Sequence, residues 1–165
     1  AALLGEVAPQ ERLVIVEDSR ELHPAHPHVV HLEGRTANAE QAGGVSMTDL
    51  VRNALRMRPD RIVVGEVREA ESLDLLIALN AGIPGMATLH ANDSHGALSR
   101  FESLVLRSGI NWPHQAIKAQ IADSFDYVVH MARINGKRLL REVLAVKGFD
   151  YASGQYQTEA IYSLS

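Results

Sequence analysis

Two short runs of apolar, mostly β-branched residues each stop on a carboxylate, and this constrains the fold more than any other feature of the chain. "RLVIVEDSRE" carries Leu13, Val14, Ile15 and Val16 straight into Glu17 and Asp18. "RPDRIVVGEVREAE" carries Ile62, Val63 and Val64 through Gly65 into Glu66. Both runs read as strands buried on both faces. A carboxylate on a buried face is costly, so each acid belongs at the tip of its strand.

The elements around these runs alternate. Residues 28–34 are a second candidate strand, and the polar stretch 35–45, with its glycine pair, is a loop. Ser46, with Asp49 three residues on, forms a variant capping box. Met47, Leu50, Val51, Ala54 and Leu55 follow at helical spacing, and Pro59 ends that helix. Residues 69–81 predict a helix with Leu73, Leu76 and Ile77 inward, stopped by Gly82. Residues 86–89 predict a strand that ends at His90. Asp93 or Ser94 caps the next helix, whose inner face is Ala97, Leu98, Phe101, Leu104 and Val105. Asn111 is read as the cap of a short helix containing Ala116, Ile117, Gln120 and Ile121.

Strands alternating with helices over roughly the first 120 residues imply a parallel sheet flanked by helices. In such sheets ligands bind beyond the carboxyl ends of the strands. Glu17 and Asp18, Glu66, and His90 should therefore gather on one edge. Beyond that point the period changes. Residues 125–133 and 138–146 flank Asn135-Gly136, a strong hairpin signal, and 155–163 can add a third antiparallel strand. The reading is one α/β domain over 1–165, with a core over 1–123 and antiparallel strands over 124–165.

The bulk numbers exclude little but agree. The chain has 165 residues, 46% hydrophobic and 22% charged, with a formal net charge of −4. That charge argues against a dedicated nucleic-acid module, which needs a basic surface. No cysteine is present, so there is no disulfide framework and no thiolate zinc site. No apolar run approaches the ~20 residues that cross a bilayer. Strand-end acids with a strand-end histidine suit metal-assisted phosphate chemistry. One carboxylate can hold Mg2+ through water, another can activate the attacking water, and a third group can sense the terminal phosphate.

At this point a resemblance becomes specific. "VIVEDSRELH", "LVRNALRMRPDRIVVGEVREAESLD" and "GMATLHANDSHGALSRFESL" stand in the order and at the spacing of the Asp box, Walker B motif and His box of the type II and type IV secretion ATPases. "HPHVVHLEGR" followed by "MTDLVRNALRMRPDRIVVGEVR" is most similar to the tight-adherence (Flp) pilus and conjugation ATPases. The likeness covers Leu3 to about Ala132. It implies a RecA-like P-loop NTPase core with a C-terminal antiparallel extension, ATP and Mg2+ as cofactors, and a homohexameric parent. The parent would power secretion, conjugative transfer or pilus assembly. It would work in the cytoplasm against the inner membrane of a bacterium, with a membrane platform or other secretion machinery as partners and no direct nucleic-acid binding. By the same resemblance, Glu66 is the Walker B glutamate that activates water and holds Mg2+ through water. Glu17, Asp18 and Glu21 are the Asp-box acids, Asp18 also serving the metal. His90 reads the γ-phosphate, and Arg68 pairs with acids of the site. Glu69 departs from the small residue common in relatives.

A larger departure is the phosphate loop. No G-x-x-x-x-G-K-[ST] occurs, and Lys118, Lys137 and Lys147 follow no such glycine-rich loop. The opening "AALLGEV" reads as the end of the helix that follows this loop in relatives. The expected protein is thus a fragment, incomplete at its N-terminus and inactive by itself. Loss of the loop's strand would leave open sheet edges, so association is expected. Two alternatives stand beside the motor reading: a degenerate, non-catalytic adaptor of the same fold, and a metal-dependent hydrolase using Glu17, Asp18, Glu66 and His90 as direct ligands.

Other features have plain readings. The histidines at 23, 26, 28 and 31 form a solvated turn broken by prolines, and His95 is a surface residue. Trp112 is a packing residue. Arg56, Arg58 and Arg61 are a solvated helix end, or else a contact to a neighbouring subunit.

Overall fold

The computed structural model of the protein describes residues 2–39 and 42–164. They divide into two compact units, 1–89 and 90–165. The first holds a 3-10 helix (Ala2–Glu6), strands β1 (Leu13–Glu17), β2 (Val29–Glu33), β3 (Arg61–Val64) and β4 (Gly85–Ala87), and helices α1 (Met47–Leu55) and α2 (Glu71–Asn80). The second holds α3 (Ser94–Arg107), α4 (His114–Ser124), β5 (Tyr127–Ile134), β6 (Lys137–Asp150) and β7 (Gln155–Ser163).

In the first unit the sheet is parallel, in the order β2-β1-β3-β4. All of β1 is buried, as the apolar run requires. Ile15 and Val63 pack with Leu4 in the core, and Leu22, Val29 and Met86 close over them. Helix α1 begins as the capping box predicts. The Ser46 hydroxyl accepts from the Asp49 N–H at 3.2 Å, and the Asp49 carboxylate accepts from the Ser46 N–H.

In the second unit the sheet is antiparallel, in the order β5-β6-β7. Asn135 and Gly136 take φ of 50° and 81°, the left-handed pair that a two-residue hairpin turn needs. Leu144, Ala145 and Val146 of β6 are buried, and α4 packs on that strand. Phe101 of α3 meets Phe125 edge-on at 4.9 Å. The buried Glu102 accepts from His114 Nε2 at 2.8 Å. Tyr156 buries its hydroxyl without a hydrogen-bond partner among the described residues.

The structure corrects several expectations. The opening segment is a 3-10 helix over Ala2–Glu6 rather than an α-helical end. Helix α2 starts at Glu71 and buries Leu75, Leu76 and Ala78, while Ile77 is 46% exposed. Its apolar residues are spread round the axis with Glu71, Ser72, Asp74 and Asn80 between them, so spacing alone could not choose its inner face. Asn111 caps nothing. Helix α4 starts at His114, because Pro113 keeps the residue before it out of the helical region. Trp112 is 38% exposed and is not a core residue. Among the described residues no helix is long and apolar enough to cross a membrane.

Two outcomes follow. Ser46→Ala should lower stability by about 1 kcal/mol, read from the urea midpoint. Burial, and then the nearby Glu102 carboxylate, push the Tyr156 hydroxyl far above the usual tyrosine range. Its contribution to stability is complete below the unfolded value of about 10 and is lost as pH rises beyond it. Thermal melts above about pH 10 should show that decline, and Tyr156→Phe should flatten it.

Candidate active site

The carboxyl ends of β1 and β3 lie side by side, since Val16 pairs with Val64. The chain leaves β1 through Glu17 and Asp18 and leaves β3 through Gly65 and Glu66. Gly65 N–H donates to Val16 O at 2.8 Å, and Gly34 N–H donates to Glu17 O at 2.9 Å. A Cβ on Gly65 would sit 2.8 Å from Glu17 Cγ. Only glycine therefore lets the Glu17 side chain lie across the end of β3.

Glu17 is buried and satisfied locally. Its Oε1 accepts from the backbone N–H groups of Glu21 at 3.1 Å and Leu22 at 3.0 Å. Its Oε2 is 3.9 Å from His31 Nδ1. The carboxylate thus staples the segment after β1 to the sheet. His31 Nδ1 is buried with no hydrogen-bond partner among the described residues. Burial first, and then the Arg20 charge, lower its pKa, while Glu17 opposes them.

Arg68 joins the two strand ends. Its Nη2 donates to Glu66 Oε2 at 2.5 Å, and its Nη1 is 3.5 Å from Asp18 Oδ2. The hydrogen bond to Glu66 and the charge of Glu66, and then Asp18 and Glu21, raise the Arg68 pKa. The turn carrying Arg68 is itself held by Glu71, whose Oε1 accepts from Arg68 N–H at 2.5 Å and from Glu69 N–H at 2.8 Å. The Thr88 hydroxyl donates to Gly65 O, and Val67 N–H donates to Thr88 O at 2.8 Å, tying the end of β3 to the chain beyond β4.

Five of the six sequence-predicted residues, Glu17, Asp18, Glu21, Glu66 and Arg68, therefore lie at one end of the parallel sheet. His90 lies just past β4 in sequence and opens the second unit. Sequence reasoning missed Glu71, Thr88 and His31. Glu71 resembled an ordinary first-turn acid, and the other two act only through neighbours distant in the chain. Among the described residues no three His, Asp or Glu side chains converge as a direct metal site.

The model of the type II/IV secretion system protein family matches residues 1–152. The chain belongs to that family. It is 46% identical over 164 residues to a putative conjugal transfer protein of Mycobacterium tuberculosis, covering 98% of this chain and 45% of the relative. Against the conjugal transfer protein TrbB of Rhizobium radiobacter it is 36% identical, covering 96% of this chain and 46% of the relative. The chain thus spans less than half the length of these relatives. Among solved structures, the VirB11 ATPase of Brucella suis superposes with a TM-score of 0.74 at 29% identity, covering 86% of this chain and 42% of that one. The ATPase DotB of Legionella pneumophila shares the fold, with a TM-score of 0.61 at 21% identity, over 87% of this chain and 38% of that one. The RecA-like fold class expected from the motifs is thereby established.

Gly65→Ala should cost roughly 1–3 kcal/mol through overpacking against Glu17. It should also speed amide exchange at Glu21 and Leu22, the two donors that Glu17 holds. Because the folded pKa of His31 lies below its unfolded value, its stability contribution is present above about pH 6.5 and is lost as pH falls. His31→Gln should therefore reduce the drop in urea midpoint between about pH 7 and pH 5.

Proposed function

We propose that this chain is the acid-bearing part of an ATP-hydrolysing motor that powers secretion, conjugative transfer or pilus assembly. The observation that carries the reading is the Arg68 guanidinium holding Asp18 and Glu66 together beyond adjacent parallel strands. Glu66 orients and deprotonates the attacking water. Arg68 fixes the direction of that carboxylate. Glu17 acts through the backbone, positioning Asp18 and Glu21 rather than meeting the substrate. His90 reads the terminal phosphate.

The donor set fits Mg2+. Asp18 and Glu66 offer hard oxygen acceptors to the ion's water shell, and one arginine leaves their charge in excess. Asp18 and Glu66 would hold the ion through water. When bound with the nucleotide it would neutralise charge on the transferring phosphoryl group. The backbone cradle and lysine of a phosphate loop must come from outside these 165 residues, since no such motif occurs in them. The working assembly in this reading is a homohexamer in the cytoplasm, docked on secretion or pilus machinery at the inner membrane.

The 165-residue chain alone should bind Mg·ATP more weakly than micromolar and show negligible turnover. Calorimetric titration giving micromolar affinity would overturn that expectation. In a full-length protein carrying the phosphate loop, Glu66→Gln should lower kcat by about 100-fold or more while nucleotide binding persists. An unchanged kcat would remove Glu66 from the mechanism.

A further inference from the structure

We infer that the opposite, amino-terminal end of the parallel sheet carries a second ligand site, one that takes a phosphate group borne on a small organic body. A hollow of about 510 Å³ opens there, and its lining includes Arg12, His28, Leu55, Arg58, Asp60 and Ile83. These residues stand just ahead of the four strands or at the end of α1. The volume lies within the usual range for small-molecule sites.

Two guanidinium groups dominate the chemistry. Arg12 is held rigidly. Its Nε donates to Met57 O at 3.1 Å, and its backbone N–H donates to Asp60 Oδ2 at 2.7 Å. Arg58 is the reverse case. Its side chain has no hydrogen bond or ion pair among the described residues. Arg61 beside it is already paired with Glu11 at 3.0 Å, so it is neutralised.

The backbone at Arg58 supports a role beyond solvation. Its φ is 52°, in the left-handed region, and the next residue is proline. Glycine would make the same turn without steric cost. A strained arginine with a free guanidinium at the rim of a hollow is an outlier of the kind that marks ligand sites. Planar guanidinium groups match phosphate oxygens in bidentate fashion. Leu55 and Ile83 offer an apolar wall to the body of the ligand, and Asp60 offers an acceptor to its hydroxyl or amino groups.

The test uses the 15N-labelled chain without Mg2+, at constant ionic strength, titrated with AMP and with inorganic phosphate. Saturable shifts are expected at the amides of Arg12, His28, Arg58 and Asp60, with AMP binding about tenfold more tightly than phosphate. Arg58→Gln should weaken AMP binding about tenfold or more, while Arg56→Gln leaves it unchanged. Arg58→Gly should raise the urea midpoint yet lose the site, separating binding from folding. Glu66→Gln should not alter these shifts, so failure here is distinct from failure of the proposed catalytic end. Vesicles of phosphatidylglycerol form a second arm. Co-sedimentation lost in Arg58→Gln, without an AMP response, would assign the phosphate to a lipid headgroup. Shifts confined to residues 17–21 and 65–68, or equal behaviour of Arg58→Gln and Arg56→Gln in both arms, would overturn the inference.

Discussion

Glu17 ends a strand with no exposed residue, so its charge has to be met inside the protein. Two backbone N–H groups meet it, from Glu21 and Leu22, and this bends the chain back over the end of β1. Backbone N–H groups are strong hydrogen-bond partners for a carboxylate. Asp18 and Glu21 are placed by that bend. The same side chain lies across Gly65, where any Cβ would collide with it. The position of Glu66 is therefore coupled to Glu17 through glycine's missing atoms as well as through the strand pairing.

Arg68 completes the arrangement from the other strand. Asp18 and Glu66 are like charges on adjacent strand ends, and without a cation between them they would repel. The guanidinium offsets that repulsion and fixes one oxygen of each acid. Glu71 and Thr88 in turn hold the turn that presents Arg68 and Glu66. A site of acids is thus supported by a second layer of backbone and hydroxyl hydrogen bonds, which restricts the geometry of Asp18, Glu66 and Arg68.

The two ends of the parallel sheet also differ in charge. Glu17, Asp18, Glu21, Glu33 and Glu66 stand at or just past the carboxyl ends with Arg68 among them, while Arg12, Arg56, Arg58 and Arg61 stand just before the strands or at the end of α1 with Glu11 and Asp60 beside them. The carboxyl end suits a cation and the phosphates it accompanies. The amino end suits an anion directly. The overall charge of −4 hides this separation, because it averages over both ends.

Local chemistry determined much of this protein. The capping box at Ser46, the Asn135-Gly136 turn and the alternation through β7 depend on neighbours within a few residues, so they were legible in the sequence. So were the strand-end acids, because an apolar run followed by a carboxylate has few other places to put the charge. The tertiary structure alone decided the inner face of α2, since a helix whose apolar residues are spread round its axis is oriented by what covers it. Contact across the fold likewise decided that Glu17 lies over Gly65, that Thr88 holds the end of β3, and that Arg61 is paired while Arg58 has no partner among the described residues. Those outcomes depend on partners up to 50 positions apart, as with Arg61 and Glu11. No local pattern of residues encodes such distances.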